Sequence, residues 1–228
     1  MQQSIQDSSG ICPPTHSPHT VGCILAGGHS SRMGGEDKSQ IFLAGAALAQ
    51  HTADRLSKQV HTTVLSCNAP TQFHATLGYP ILKDTLEGHL GPLAGILSAM
   101  EWTRKNSASA KWVLSVSCDT PFFPLDLAHV LSQAAESHPH AFAMSASQGK
   151  THPTCSLWPL ALEQDLRAYL QNGGRSLMGF SKDFKPAVVS FSIVQSQEGP
   201  LDPFFNINNP EDLEMARSYL SGNRVSLL

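Results

Sequence analysis

The stretch LAGGHSSRMGGEDKS, residues 25–39, combines four glycines with the cationic side chains of Arg32 and Lys38. Glycines let backbone N–H groups approach phosphate oxygens closely, because no Cβ obstructs them. The arginine and the lysine can neutralise phosphate charge. Four glycines in two pairs, at 27–28 and 34–35, are more than a simple strand–helix turn needs. The stretch therefore predicts a loop that binds phosphate groups.

Neither standard phosphate-binding template fits this loop. A P-loop has glycine, lysine and serine or threonine in immediate succession, whereas Glu36 and Asp37 separate Gly35 from Lys38. The dinucleotide fingerprint GxGxxG is also absent. The two acids can point to solvent or hold Arg32 and Lys38 in place, and the sequence leaves both possibilities open.

Two acids and one amide also fall at positions that favour chemistry. Asp119 closes an apolar run in VSCDTPF, where a charge is unfavourable unless it meets water, a cation or a donor. Next to a phosphate site, such an aspartate is a suitable Mg²⁺ ligand, and the alternative is a turn or N-cap role. Asp84 has the same two interpretations. Asn68 either reads a base edge with its amide or stabilises a turn.

These candidate residues all follow segments with strand character. We predict the first four strands at residues 21–26, 61–67, 79–84 and 111–119. Helical spacing and proline positions predict the intervening helices at residues 44–58, at 91–105 and from Pro124 onward. Such alternation favours a parallel sheet with right-handed crossovers, in which ligands bind beyond the carboxyl ends of the strands. The glycines, Lys38, Asn68, Asp84 and Asp119 should therefore converge on one edge of the sheet.

The rest of the chain completes a single α/β domain. Further strands are predicted at residues 141–146, 152–158 and 187–194, and further helices at 159–171, 174–181 and 209–220. No repeat or linker divides the chain. We predict a three-layer α/β/α fold with a mostly parallel, Rossmann-like sheet over residues 20–222, a flexible tail at 1–19 and a short tail at 223–228.

Composition excludes several classes of function. The 228 residues carry a formal net charge of −3, so a broad basic face for nucleic acid is not expected. No apolar run approaches the roughly 18 residues of a membrane span, and the first 20 residues do not resemble a secretory signal, which favours the cytoplasm. The five cysteines form no CxxC pair and the eleven histidines form no HExxH motif. Reduced core thiols are expected, and a transition-metal site is not.

Five segments together resemble the molybdenum cofactor guanylyltransferases of the nucleotidyltransferase superfamily. They occur in the family's order and spacing over about residues 20–220, and they are LAGGHSSRMGGEDK, GPLAGI, CDTPF, HPTCSLW and FFNINNPEDLEMA. The chain departs from the family pattern in two mild ways. One extra residue stands between Gly34 and the Asp37–Lys38 pair, and Asn209 replaces a threonine.

The resemblance implies transfer of GMP from GTP to the phosphate of the molybdenum–molybdopterin cofactor, with release of pyrophosphate and with Mg²⁺ as cofactor. It implies catalytic roles for Lys38, Arg32 and Asp119, the last as the Mg²⁺ ligand. It also implies GTP and molybdenum–molybdopterin as substrates, and transient contact with other proteins of cofactor biosynthesis or molybdoenzyme maturation. The nucleotide would be contacted by Leu25, Ala26, Gly27, Gly28, Lys38, Asn68, Asp84 and Asp119.

The C-terminal half would hold the pterin. Asn206 and Asn208 lie at alternate positions, hence on one face if the chain is extended, and their amides suit a ring with donors and acceptors. Asn209 can at the same time cap the last helix. Arg175 stands at the start of a predicted helix and is either an anion site or a solvated surface side chain. His152 either faces the same cleft or lies at a strand edge.

Other functions compete with this one. Within the same fold, a cytidylyltransferase or a sugar nucleotidyltransferase is the nearest alternative, although the sugar enzymes resemble LAAGxGTRM more than LAGG. The size of Gly27 favours a purine, since an alanine there would leave less space. The alternative from another class is a non-catalytic module that binds the cofactor or a nucleotide. Retention of both Lys38 and Asp119 argues against it.

Overall fold

The computed structural model describes residues 16–27, 37–88 and 90–222, and the structural statements below concern these residues. The strands are β1 (Ser17–Leu25), β2 (Phe42–Leu43), β3 (Ala46–Ala47), β4 (Val60–Ser66), β5 (Ile81–Leu82), β6 (Trp112–Ser117), β7 (Ala143–Ser147), β8 (Lys150–Pro159), β9 (Ala187–Ser190), β10 (Val194–Ser196) and β11 (Gly199–Leu201). The helices are α1 (Leu48–Leu56), α2 (Gln72–Thr76), α3 (Pro92–Asn106), α4 (Leu127–Glu136), α5 (Glu163–Gln171), α6 (Leu177–Phe184) and α7 (Pro210–Gly222). Short 3₁₀ turns cover Lys38–Gln40 and Leu160–Leu162.

One seven-stranded sheet organises the domain, in the order β5-β4-β1-β6-β8-β7-β9. The strands β5, β4, β1 and β6 are parallel, and β8 is antiparallel to both of its neighbours. Strand β7 therefore runs in the same direction as β6, and β9 is parallel to β7. Six strands thus end at one edge of the sheet, which we call the carboxyl rim, and β8 begins there. The predicted mostly parallel α/β fold is confirmed.

Helices cover both faces of the sheet and give the three predicted layers. Leu56 of α1 and Leu131 of α4 pack with Ile24 on one face. Leu97 of α3 and Leu166 of α5 pack with Cys23 on the other. Successive residues in the C-terminal part of β1 therefore pack into opposite cores, which explains the nearly unbroken apolar run at residues 21–26. A smaller core joins α7 to the β2–β3 hairpin.

Gly22 in β1 is required by close packing. A Cβ at this position would lie 2.7 Å from Leu56 Cδ2 and 3.0 Å from Val60 Cγ2. Leu56 is fully buried and cannot move aside freely. We expect Gly22→Ala to lower the free energy of unfolding by about 1–3 kcal/mol, measured by urea denaturation. Gly27→Ala is the matched control, because an added Cβ there meets no described atom within 4 Å; equal stability losses would contradict this account.

Two predicted boundaries were wrong. Residues 17–19 were assigned to a flexible tail but belong to β1, where the Ser17 N–H donates to the Gln59 carbonyl at 2.8 Å. The helix expected from residue 44 begins at Leu48 instead. Ala44 and Gly45 adopt positive φ angles of 47° and 94°, and they close the β2–β3 hairpin. A left-handed backbone is unfavourable for alanine, so nothing in the sequence indicated a turn at Ala44. Its apolar side chain was instead counted in the helical spacing.

The cysteines of the described chain are reduced and buried, as predicted: Cys23, Cys67, Cys118 and Cys155. Cys12 lies outside the described residues. Burial raises the pKa of the Cys23 thiol to about 12, and Asp84 adds to the effect. These thiols therefore behave as small apolar side chains rather than nucleophiles. Among the described helices, none has the length and apolarity to cross a membrane.

Candidate active site

A pocket of about 450 Å³ opens at the carboxyl rim, where β1, β4 and β5 end beside the start of α3. This size lies within the range of small-molecule sites, about 300–1,000 Å³. The pocket is lined by Leu25, Ala26, Gly27, Asp37, Ser66, Cys67, Asn68, Ala69, Asp84, Leu90, Gly91, Pro92 and Gly95. Five of the residues expected to contact a nucleotide are therefore brought together: Leu25, Ala26, Gly27, Asn68 and Asp84. Gly28 lies outside the described residues.

Asn68 and Asp84 form a reciprocal pair across the ends of β4 and β5. The Asn68 amide donates to Asp84 Oδ2 at 2.7 Å, and the Asp84 backbone N–H donates to Asn68 Oδ1 at 2.8 Å. No described residue donates to the other carboxylate oxygen of Asp84. Asn68 therefore orients Asp84. The Asp84 carboxylate at the pocket wall is then able to accept from the N–H donors of a ligand.

The first turn of α3 forms the opposite wall. Gly91 precedes the helix with a φ of 71°, which favours glycine, and Pro92 occupies the first turn as predicted. Gly95 faces inward, and a Cβ there would lie 2.3 Å from Ser66 Oγ. The 15-residue helix thus brings its N-terminal N–H groups and the positive end of its dipole to the pocket, a favourable environment for an anionic ligand.

Lys38 joins the two halves of the chain at the rim. Its ammonium donates to Asp119 Oδ2 at 3.0 Å and to Asn208 Oδ1 at 2.6 Å. The side chains of Lys38 and Asp119 are 17% and 14% exposed, so solvent screens the ion pair only partly. Three residues that the sequence assigned to phosphate, metal and pterin therefore meet in one cluster, the Lys38–Asp119–Asn208 cluster.

Hydroxyl groups around this cluster fix its orientation. The Ser117 hydroxyl donates to Asp119 Oδ1 at 2.6 Å, and the Thr120 hydroxyl donates to Asn206 Oδ1 at 2.5 Å. The Ile207 N–H donates to the Asp119 carbonyl at 2.9 Å. Sequence reasoning missed Ser117 and Thr120, although Thr120 follows Asp119 in CDTPF and Ser117 directly precedes that motif.

Asp37, one of the two acids between Gly35 and Lys38, has a structural role. Asp37 Oδ1 accepts from the Ser39 N–H at 3.0 Å and from the Ser39 hydroxyl at 2.7 Å, so that it caps the 3₁₀ turn that carries Lys38. His74 is fully buried behind this turn, with Nε2 at 2.9 Å from Ser39 Oγ. The Thr71 N–H donates to His74 Nδ1 at 3.0 Å, which leaves Nε2–H as the donor toward Ser39. The segment that follows β4 and carries Thr71 and His74 therefore supports the turn that carries Lys38.

The remaining predicted residues have separate positions. Asn209 caps α7, since its Oδ1 accepts from the Asp212 N–H at 2.8 Å, while Asn208 is free to face Lys38. The Arg175 guanidinium donates to the carbonyl oxygens of Leu170 and Gly174, and it is not bonded to the Lys38–Asp119–Asn208 cluster. Its role as an anion site stays a prediction. Arg32 and Glu36 lie outside the described residues.

The rim suits a magnesium ion that is shared with a substrate. Mg²⁺ is usually held by one or two carboxylates together with substrate phosphates and water, rather than by an all-protein cage. Asp119 provides such a carboxylate beside Lys38, the lysine predicted to bind phosphate. In the ranges that the structure describes, no group of three or more His, Cys, Asp or Glu side chains could hold a metal. The donor set therefore fits a shared Mg²⁺ and not a closed site.

A mostly parallel sheet with a ligand pocket, a lysine and an aspartate at its carboxyl rim defines a nucleotidyltransferase-type α/β protein. Comparisons narrow this class. Residues 22–185 match the family described as MobA-like NTP transferase domain. The molybdenum cofactor guanylyltransferase of Mesorhizobium japonicum is 41% identical over 201 residues, which cover 88% of this chain and 95% of that protein. The protein of the same name from Rhizobium meliloti is 40% identical over 208 residues, covering 91% of this chain and 94% of that one.

A solved structure agrees in fold. Molybdopterin-guanine dinucleotide biosynthesis protein A from Archaeoglobus fulgidus superposes with a TM-score of 0.68 at 21% identity, covering 88% of this chain and 98% of that one. The chain belongs to the MobA-like NTP transferase family, and it is a nucleotidyltransferase.

Proposed function

We propose that the protein transfers GMP from GTP to the phosphate of the molybdenum–molybdopterin cofactor and releases pyrophosphate. Relatives at about 40% identity over most of the chain carry the name of this activity. The observation that carries the proposal is the hydrogen bonding of Lys38 to both Asp119 and Asn208. It brings the nucleotide half and the C-terminal half to one point, where two anionic substrates have to meet.

The chemistry that the chain must supply is alignment and charge neutralisation. The attacking group is a phosphate that is already anionic, so a strong general base is not needed. The barrier arises from bringing negative groups together in line. Lys38 would move its ammonium onto the triphosphate, and the N-terminus of α3 would add N–H donors. Mg²⁺ held by Asp119 would neutralise phosphate charge when it is bound. Arg32 is proposed as a second phosphate contact.

We assign recognition of the nucleoside to the pocket at the ends of β1, β4 and β5. Guanine presents adjacent N–H donors on one edge, and a carboxylate can accept from both. We therefore assign the base edge or the ribose to Asp84, with Asn68 as the residue that orients it. Cytosine offers only its exocyclic amine as a donor on the equivalent edge, so the same carboxylate supports it less well. This chemistry favours GTP over CTP, the substrate of the nearest alternative function.

A nucleotide panel tests the proposal. The protein is incubated with molybdenum–molybdopterin, Mg²⁺ and GTP, CTP, ATP or UTP, and pyrophosphate release is measured. We expect release with GTP in excess of the other three. Release with CTP above GTP would assign the cytidylyltransferase activity instead, and nucleotide binding without any release would assign a non-catalytic module.

Gly27 offers a sharper test of base selection. It lines the pocket, its backbone lies outside the left-handed region, and an added Cβ meets no described atom within 4 Å. Gly27→Ala should therefore fold normally, with stability unchanged within about 0.5 kcal/mol. If Gly27 leaves space for a purine, kcat/KM for GTP relative to CTP should fall about tenfold, because one methyl group changes pocket volume by a limited amount. An unchanged ratio would show that Gly27 does not set the size of the base.

A further inference from the structure

A second polar cluster consists of Ser147, Asp202 and His152, the histidine for which the sequence left open a place in the cleft or at a strand edge. Ser147 Oγ lies 2.8 Å from each carboxylate oxygen of Asp202 and 2.7 Å from His152 Nε2. The amide of Gln148 donates to Asp202 Oδ2 at 3.2 Å. The His152 ring stacks on Phe204, with centroids 4.6 Å apart and an interplanar angle of 22°.

The proton arrangement in this cluster excludes nucleophilic catalysis by the serine. Ser147 has one hydroxyl hydrogen, and the carboxylate of Asp202 can only accept it. His152 must therefore donate from Nε2–H to Ser147 Oγ, which is the reverse of the proton transfer that a serine nucleophile needs. Burial lowers the pKa of His152 although Asp202 opposes this, which favours the neutral ring. The cluster is built to orient an acceptor, namely the Asp202 carboxylate.

The cluster shares the carboxyl rim with the Lys38–Asp119–Asn208 cluster. Ser147 ends β7, and β7 lies two places from β6 in the sheet, on the side away from the nucleotide pocket. Neighbouring strands are spaced by about 4.8 Å, so the two clusters are roughly 10 Å apart along the rim. Asp202 also precedes Asn206 and Asn208 by only a few residues, which keeps both clusters on one continuous segment.

We propose that Asp202, oriented by Ser147 and flanked by the stacked His152–Phe204 pair, binds the aminopyrimidinone edge of the pterin substrate. This inference rests on the proposed function, because it takes the substrate phosphate to lie at the Lys38–Asp119–Asn208 cluster. A pterin carries a ring N–H and an exocyclic amine side by side, and a carboxylate accepts from both in a bidentate arrangement. The partly exposed His152 ring, supported from behind by the buried Phe204, provides a surface for a planar ring.

The dimensions of the substrate agree with this assignment. A molecule with a phosphate at one end and a fused pterin at the other spans about 10 Å by ordinary bond lengths. This length is comparable to the roughly 10 Å that the strand spacing gives for the distance between the two clusters. Burial by itself would raise the pKa of Asp202, but donation from the Phe204 N–H, Ser147 and Gln148 lowers it below its ordinary value. The group is therefore ionised at neutral pH, as an acceptor must be.

A purely structural role for Asp202 makes a different prediction. Its Oδ1 also accepts from the Phe204 N–H at 2.9 Å, so the carboxylate anchors the segment that leads to Asn206 and Asn208. Asp202→Asn separates the two roles. The amide oxygen still accepts from Phe204 and Ser147, which retains the anchor, but the amide cannot accept two pterin donors.

The test measures steady-state kinetics with GTP and molybdenum–molybdopterin, and binding of 6-hydroxymethylpterin by fluorescence titration. For Asp202→Asn we expect the KM for the cofactor and the Kd for the pterin to rise about 10- to 100-fold, with the KM for GTP unchanged. Ser147→Ala should raise the KM for the cofactor and the Kd for the pterin about 3- to 10-fold. This second variant tests the proposal if Asp202→Asn fails to fold. Asp183→Asn, an exposed acid on α6, is the matched control.

Each outcome decides the matter. Unchanged pterin affinity in both variants would overturn the proposal. A lower kcat together with higher KM values for both substrates, without a change in pterin affinity, would assign Asp202 to anchoring alone. The pterin titration does not depend on turnover. If the wild-type protein binds the pterin through Asp202 but releases no pyrophosphate from GTP, the proposed function fails while the pterin site stands.

Discussion

Asp119→Asn is expected to lower the rate of pyrophosphate release from GTP about a thousandfold, while the protein stays folded. The carboxylate is the acid that faces Lys38 at the rim, and an amide would hold Mg²⁺ far less well than a charged oxygen. Loss of a metal's charge from a phosphoryl-transfer transition state removes several kcal/mol, and about 4 kcal/mol corresponds to this factor. The fold should survive, because the Asp119 carbonyl still accepts from the Ile207 N–H.

The measurement is kcat for GTP at saturating cofactor and Mg²⁺, together with thermal unfolding followed by circular dichroism. Asp126→Asn is the matched control: Asp126 is exposed, it lies seven positions further along, and its side chain makes no capping bond to α4. That variant should keep wild-type activity. Near-normal turnover by Asp119→Asn would mean that another group holds the metal, and a collapsed thermal transition would mean that Asp119 is structural.

Much of this site could be predicted because parallel sheets follow simple rules. The buried strands β1 and β6 are marked by mainly apolar stretches at residues 21–26 and 112–118, and parallel strands bring their carboxyl ends to one edge of the sheet. Asn68, Asp84 and Asp119 were predicted to converge there for that reason alone. The structure brings Asn68 and Asp84 into direct contact, and Asp119 lies beside Lys38.

The sequence patterns do not predict which distant segments contact each other. Lys38 and Asn208 are 170 positions apart, and they are brought together by the small core of α7 and the β2–β3 hairpin and by the backbone hydrogen bond from Ile207 to Asp119. His74 gave no signal, because a buried histidine that supports a turn has no characteristic spacing. The β2–β3 hairpin was missed because Ala44 takes a left-handed backbone that its side chain does not favour. Local propensity is overridden at these points by tertiary packing.

Lys38→Met is expected to lower kcat/KM for GTP about 100- to 1,000-fold, because the proposed function then loses one cation that would neutralise the triphosphate, while most of the apolar stem is kept. The same change has an effect of opposite sign on metal binding. The ammonium donates to Asp119 Oδ2 at 3.0 Å, so under the proposed function it would compete with a divalent cation for that carboxylate until the triphosphate binds. Without nucleotide, Lys38→Met should therefore bind Mn²⁺ about 3- to 10-fold more tightly than the wild type.

Titration of Mn²⁺ by electron paramagnetic resonance measures this affinity, and pyrophosphate release measures the activity of the same samples. Lys58→Met, an exposed lysine just after α1, should change neither quantity. Asp119→Asn combined with Lys38→Met should abolish the gain in Mn²⁺ affinity, since the carboxylate that gives rise to it is gone. Weaker Mn²⁺ binding by Lys38→Met alone would contradict the competition, because it would mean that the lysine supports the metal before the triphosphate arrives.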